Sequence, residues 1–182
     1  CLSAASAAIV RNVDGHSDSG SISVSPLASA MTGYAGFPLV PQITNPTDAN
    51  KFASGLYDGI AVWFVAYAAR QFIRVNKITG VMTGFAGFPT TPQITNPTDT
   101  SKFHGAAYDG VKIWSAPFNA LQAISINPST GVMAGYSGWP VTPQVTAATD
   151  TSKFTAAAYD GSSVWMVPLS ARQFIKIVPS TG

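Results

Sequence analysis

Aromatic rings and side-chain amides recur together at three places in this sequence of 182 residues. The three segments read Gly-Tyr-Ala-Gly-Phe-Pro (33–38), Gly-Phe-Ala-Gly-Phe-Pro (84–89) and Gly-Tyr-Ser-Gly-Trp-Pro (135–140), and each is followed by a Pro-Gln pair. An aromatic ring can stack on the apolar face of a sugar, while amides bind its hydroxyl groups. The pattern therefore predicts ligand-binding residues, which are Tyr34, Phe37, Gln42, Phe85, Phe88, Gln93, Tyr136, Trp139 and Gln144.

Each of these features also has a structural interpretation. The aromatic rings could pack beneath a loop, and the amides could serve only solubility. A second aromatic series, Trp63, Trp114 and Trp165, could pack between sheets or offer a stacking platform. The lysines at 51, 102 and 153 are expected to pair with the aspartates three residues earlier, and such a pair, if exposed, contributes little to stability.

Residues for catalysis are few. His16 lies in a Gly/Ser-rich stretch, and His104 is unique to its repeat. The single cysteine, Cys1, leaves no Cys/His cluster for a metal, and no Gly-x-Ser-x-Gly segment occurs. The sequence thus predicts no enzyme, no cofactor and no metal site. A propeller enzyme of the lyase type is the less favoured alternative.

A repeat of 51 residues organises the chain. Lys-Phe begins the three copies at 51, 102 and 153, Tyr-Asp-Gly follows at 57, 108 and 159, and Thr-Gly ends them at 80, 131 and 182. A fixed period of this size indicates one supersecondary unit stacked several times. We predict a degenerate partial repeat over 1–30 and three repeats over 31–182, forming one propeller-type domain whose ring another chain could close.

Each unit is predicted to contain four strands. In the second copy these are 103–108, 111–116, 123–127 and 132–136, joined at Asp109-Gly110 and at Pro128–Gly131. Asp-Gly favours a type I′ hairpin turn, and Pro followed by Gly also favours a turn. A long loop rich in Pro, Thr, Gln and Asn then leads to the next unit.

Four antiparallel strands per unit of this length predict an all-β protein built of β-propeller blades, with a β-trefoil as the alternative. The pattern Tyr-Asp-Gly-x-x-x-Trp, followed by Ile-x-Ile-x-Pro-x-Thr-Gly, resembles blades of the YVTN-type surface propellers and the virginiamycin B lyase-like family. The usual acid before the Pro-x-Thr-Gly turn is Asn127 here, with Asn76 and Val178 at the equivalent positions. The resemblance implies a propeller fold and carries no catalytic residue across.

Composition restricts the partners. Charged residues make up 10% of the chain, the net charge is +2, and all eight acidic residues are Asp. The absence of Glu favours strands over helices, and the lack of a basic cluster argues against nucleic acid. No apolar run is long enough to span a membrane. We therefore predict an extracellular, cell-surface or virion-surface protein.

Repeated, equivalent sites predict a function. The favoured hypothesis is a non-enzymatic, lectin-like adhesion module that binds glycan or a surface protein through several weak sites. The alternative is a structural self-assembly protein of a virion, appendage or surface layer. Under both hypotheses the protein is expected to be a homo-oligomer or part of a larger assembly.

Overall fold

The computed structural model describes residues 32–34, 36–40, 49–91, 95, 99–142, 147 and 149–180. All of these except 32 and 33 belong to the unit Tyr34–Gly182. The predicted partial repeat over 1–30 lies outside the described residues, and its domain boundary stays a prediction. The three predicted binding glutamines, Gln42, Gln93 and Gln144, also lie outside them.

The described residues form eleven β-strands and no helix, which confirms the predicted all-β class. Among these residues, accordingly, no helix is long and apolar enough to cross a membrane. The strands are β1 (Phe52–Tyr57), β2 (Ala61–Ala66), β3 (Phe72–Asn76), β4 (Met82–Phe85), β5 (Phe103–Tyr108), β6 (Ile113–Pro117), β7 (Ala123–Ile126), β8 (Met133–Tyr136), β9 (Phe154–Tyr159), β10 (Val164–Pro168) and β11 (Ile175–Ile177).

Each repeat folds into its own antiparallel sheet. The first sheet has the order β1-β2-β3-β4, the second β5-β6-β7-β8, and the third β9-β10-β11. The first two are the four-stranded, blade-like meanders that the sequence predicts. Strands of different repeats are not paired in the part of the chain that the structure describes, although a shared barrel, as in the trefoil alternative, would require such pairing.

The first hairpin turn of each sheet differs from the predicted type I′ turn. Tyr57 pairs with Val62, so the loop has four residues, and the Asp58 amide donates to the Ala61 carbonyl. Only the glycine has a positive φ, 93° at Gly59, whereas type I′ requires positive φ at both central residues. The longer loop forms because the Asp58 carboxylate accepts two backbone N–H groups inside it.

The three sheets stack face to face in chain order. We call the side of each sheet that carries Trp63, Trp114 or Trp165 its Trp face, and the opposite side its Phe face. The Trp face of the first sheet packs on the Phe face of the second, and the Trp face of the second packs on the Phe face of the third. Successive side chains of a strand lie on opposite faces of its sheet, so one strand contributes apolar residues to the junctions on both sides.

The lysine that begins each repeat helps to join neighbouring sheets. The Lys102 amide donates to the Tyr67 carbonyl of the preceding sheet, and the Lys153 amide donates to the Phe118 carbonyl. Both lysine side chains are fully buried, so the expectation for exposed ion pairs does not apply to them. Their ammonium groups donate to the backbone carbonyls of Asp99 and Asp150, and burial lowers the pKa of each lysine to about 8.

Candidate functional site

The Tyr-Asp-Gly-x-x-x-Trp motif is a hydrogen-bonded unit. In the first sheet, one carboxylate oxygen of Asp58 accepts the amides of Ile60 and Ala61, and the other accepts the Trp63 indole N–H at 2.7 Å. Burial opposes ionisation of Asp58, yet these hydrogen bonds outweigh it and lower the pKa of the carboxyl. The motif therefore sets the orientation of the tryptophan on its sheet.

The same bonds recur in the other two sheets. Asp109 accepts the Trp114 indole at 2.7 Å, and Asp160 accepts the Trp165 indole at 2.7 Å. Hydrogen bonds from Trp165 and from the turn amides also lower the pKa of Asp160. All three indoles are consequently held in equivalent positions, whether or not another sheet covers them.

Four of the predicted binding aromatics are packed inside the two junctions. Phe88 stacks on Phe103 at 6.3 Å between ring centroids, and Trp139 stacks on Phe154 at 5.9 Å. Phe85 lies 4.8 Å from the Trp63 ring, and Tyr136 lies 5.0 Å from the Trp114 ring. Phe88 is thereby buried, whereas Tyr136 and Trp139 also line a cavity of about 480 Å³ together with residues 174–177.

The other two predicted aromatics, Tyr34 and Phe37, occupy the equivalent places against the Phe face of the first sheet. Phe37 stacks on Phe52 at 6.4 Å, which reproduces the Phe88–Phe103 pair. The Tyr34 ring covers Gly80 as the Phe85 ring covers Gly131, and a Cβ at either glycine would overlap the aromatic ring. Here, however, the rings border a cavity rather than a filled core.

This cavity has a volume of about 460 Å³ and an almost entirely apolar lining. Its walls are Tyr34, Phe37, Phe52, Val62, Phe64, Val75, Asn76, Lys77, Gly80 and Met82. The polar lining groups are already engaged. Asn76 accepts the amides of Ile78 and Thr79, and the Lys77 ammonium donates to the Tyr57 hydroxyl. The cavity is therefore suited to an apolar group.

Comparison with the next junction indicates which group the cavity would fit. There the Trp63 indole packs beside Phe85 and against the Phe face of the second sheet. On the first sheet, Tyr34 and Phe37 stand where Phe85 and Phe88 stand, but no described residue supplies a tryptophan. The cavity thus corresponds to the place that an indole fills one repeat later.

A set of glutamines that the sequence analysis missed anchors the aromatic segments. The side-chain amides of Gln71, Gln122 and Gln173 donate to the carbonyls of Pro38, Pro89 and Pro140, each 33 residues earlier. The constant spacing of 33 residues between each glutamine and its proline is visible in the sequence and could have indicated these contacts. These bonds hold the Phe37 and Phe88 segments against the sheets and so fix one wall of the cavity.

His104 is also used in packing. Its ring stacks on Phe118 at 5.4 Å and meets the Tyr67 ring edge-on, while Nδ1 lies 2.9 Å from the Thr155 carbonyl. Within the described ranges, no three His, Cys or Asp side chains come together in a way that could hold a metal ion.

The chain matches no protein-family model and no curated protein. A solved structure of similar shape is that of a candidate 6-phosphogluconolactonase from Bacteroides uniformis, with 15% identity and a TM-score of 0.41. The likeness covers 68% of this chain, and the chain spans 37% of the length of that neighbour. A likeness at this level assigns no activity to this chain.

The predicted function of a multivalent adhesion module, with self-assembly as the alternative, is wrong. The solved structure that resembles the chain is named as an enzyme, not as an adhesion or assembly protein. The geometry supplies a physical reason as well, because the supposedly repeated sites are not equivalent. Phe88 is buried between sheets, Phe37 borders a cavity with an almost entirely apolar lining, and Trp139 borders a cavity with a mixed polar and apolar lining. The extracellular location and the absence of enzymatic activity stay predictions.

Proposed function

We propose that the protein binds one planar aromatic group of about the size of an indole in the cavity on the Phe face of its first sheet. The observation that carries the proposal is the correspondence between this cavity and the place of Trp63 at the next junction. This is recognition at one site by an apolar cavity, and it involves neither sugar hydroxyls nor repeated weak sites.

The walls of the cavity support an aromatic ligand. Phe37 and Phe52 are already stacked on each other, and the Phe64 ring lies 5.7 Å from that of Phe52. Offset and edge-to-face contacts between such rings add to the stabilisation from burying apolar area. An apolar cavity of about 150 Å³ is large enough for benzene, so a cavity three times that size accommodates two fused rings.

Preorganisation also supports the proposal. The Gln71 amide holds the Pro38 carbonyl at 3.0 Å, and Tyr34 packs on Gly80, so one wall is in place before a ligand arrives. A site that needs little ordering retains more of its contact energy as affinity. The role that we propose is binding without catalysis, since the nearby Asp58 carboxylate is occupied by its own turn and by Trp63.

We further propose that the stacked sheets are blades of a β-propeller. Each sheet is a meander, and the first strands of successive sheets, β1, β5 and β9, lie in contact with one another. Both features support a propeller. A propeller needs about four to eight blades to close its ring. Sheets in addition to these three would then complete it.

The test is the titration of free indole into the full chain, measured by calorimetry and by saturation-transfer NMR. We expect saturable binding of one indole per chain. The Val75→Trp variant places an indole of its own in the cavity and should abolish that binding. Val132→Trp, a matched change at an exposed turn position, should leave it intact. Indole that fails to bind saturably, or binds Val75→Trp equally well, would overturn the proposal.

A further inference from the structure

The second and third sheets border a groove at the end where their hairpin turns lie. In an antiparallel meander the first and third turns fall at the same end of the sheet. The groove has a volume of about 430 Å³, and its walls come from residues 109–112 of the second sheet and from 159–162 and 179–180 of the third. It lies between two neighbouring sheets, so it is a feature of an internal junction and not of either end of the stack.

Two residues of this groove are more polar than their equivalents at the preceding junction. Lys112 occupies the position of Ala61, and Ser162 occupies that of Val111. The repeat thus exchanges two apolar side chains for an ammonium group and a hydroxyl. Drift in surface turns would leave such changes unrelated to each other, whereas both of these side chains line the same groove.

The Lys112 ammonium is available to a bound molecule. Its nitrogen lies 5.7 Å from the centroid of the Trp114 ring, and a contact of this kind leaves the N–H donors unused. Within the part of the chain that the structure describes, Lys112 has neither a hydrogen-bond acceptor nor an acidic partner. Lys77, at the same end of the first sheet, differs because its ammonium donates to the Tyr57 hydroxyl.

The acids beside the groove are held by other donors. One oxygen of Asp109 accepts two backbone amides of its own turn, and the other accepts the Trp114 indole. Asp160, in the third sheet, is held in the same way by its turn amides and by Trp165. Both carboxylates keep their negative charge, so their repulsion of an incoming anion grows with the charge of that anion. A singly charged ligand is therefore favoured over a dianion.

Apolar surface lies next to the ammonium. The Val111 side chain is 65% exposed, and the Tyr159 ring is 37% exposed. The Tyr159 hydroxyl donates to the Gly161 carbonyl, which holds the ring at the wall of the groove. Pro179 adds a rigid ring to the third wall. A flat apolar group can cover these residues while an acidic group meets Lys112.

From these observations we propose that the groove binds a small, flat monocarboxylate, such as an aromatic acid. Its carboxylate accepts hydrogen bonds from the Lys112 ammonium, and its flat part packs on Tyr159 and Val111. Ser162, smaller than the valine at its equivalent position, leaves the space for it. This site is separate from the cavity on the first sheet and does not depend on the ligand of that cavity. A charge-assisted hydrogen bond is about twice as strong as a neutral one, so Lys112 determines the preference for an acid.

Titration of benzoate into the full chain, measured by calorimetry and by saturation-transfer NMR, tests this inference. We expect saturable binding of one benzoate per chain. Lys112→Met keeps the aliphatic stem and removes the charge, so it should raise the dissociation constant about tenfold or more. Lys77→Met removes an equal charge outside the groove and should change the dissociation constant by less than about twofold. Lys112→Gln replaces Lys112→Met if that variant does not fold.

Two other ligands and one variant complete the experiment. Benzamide has the shape of benzoate without its charge and should bind about tenfold more weakly. Equal binding of benzamide, an equal loss in Lys77→Met, tighter binding of phenyl phosphate than of benzoate, or no saturable binding would each overturn the inference. Val75→Trp, which fills the cavity on the first sheet, should still bind benzoate. Loss of benzoate binding in this variant would place the acid in that cavity and overturn the inference, while indole binding by the full chain tests the proposed function separately.

Discussion

Replacing Asp58 with alanine should destabilise the fold strongly, because one carboxylate satisfies several buried donors. The substitution leaves the Trp63 indole N–H and the Ala61 amide without their acceptors, and both residues are fully buried. An unsatisfied buried donor costs about 1–3 kcal/mol. We therefore expect the free energy of unfolding to fall by about 3 kcal/mol, which corresponds to a drop of about 6–12 °C in Tm for a chain of this size.

The repeat supplies a matched control for this prediction. Asp160 makes the same bonds, but its indole partner Trp165 is partly exposed, so water can replace the lost acceptor. Asp160→Ala should therefore destabilise the chain less than half as much as Asp58→Ala. Urea unfolding, monitored by circular dichroism, measures both losses.

A conservative variant separates the two parts of the Asp58 interaction. Asp58→Asn keeps one oxygen for the turn amides and loses the acceptor for the indole, so its effect should fall between wild type and Asp58→Ala. If Asp58→Ala unfolds within about 0.5 kcal/mol of the wild type, the difference expected of an unimportant surface change, the reasoning is refuted. Equal losses from Asp58→Ala and Asp160→Ala would refute it too.

Three further predictions concern packing and burial. Gly105→Ala should cost about 1–3 kcal/mol in urea unfolding, because a Cβ there would lie 2.5 Å from the backbone of the next sheet, while Gly87→Ala, with open space, should be neutral. Stability should rise from pH 8 to about 9.5, since Lys102 and Lys153 have pKa values near 8 when folded and the unfolded chain binds more protons there; a falling profile would contradict this. Gln122→Leu should cost about 1–3 kcal/mol on thermal unfolding because it removes two hydrogen bonds, to the Pro89 carbonyl and to the buried Thr95 hydroxyl, and a neutral result would count against its anchoring role.

The strands could be predicted well because their signals are local. The second repeat was expected to form strands at 103–108, 111–116, 123–127 and 132–136, and the structure has β5 to β8 within about two residues of these bounds. Turn residues carried the prediction. The Asn127 side chain accepts the Ser129 and Thr130 amides, as the acid would that is usual at this position in the blades that the sequence resembles.

The binding residues could not be predicted because their fate depends on contacts between sheets. Phe88 and Trp139 lie three residues after their fourth strands, between glycine and proline, which is compatible with exposure, but each stacks on a phenylalanine 15 residues later. The same spacing separates Phe37 from Phe52, where the cavity remains. Only the positions of neighbouring sheets distinguish a covered ring from one that borders a cavity.

The most direct test is an isotope-filtered nuclear Overhauser experiment on the isotope-labelled chain mixed with unlabelled free indole. We predict contacts from the indole protons to the methyl groups of Val62 and Val75, both of which line the cavity. Saturable binding of indole without these contacts, or no saturable binding at all, would contradict the account.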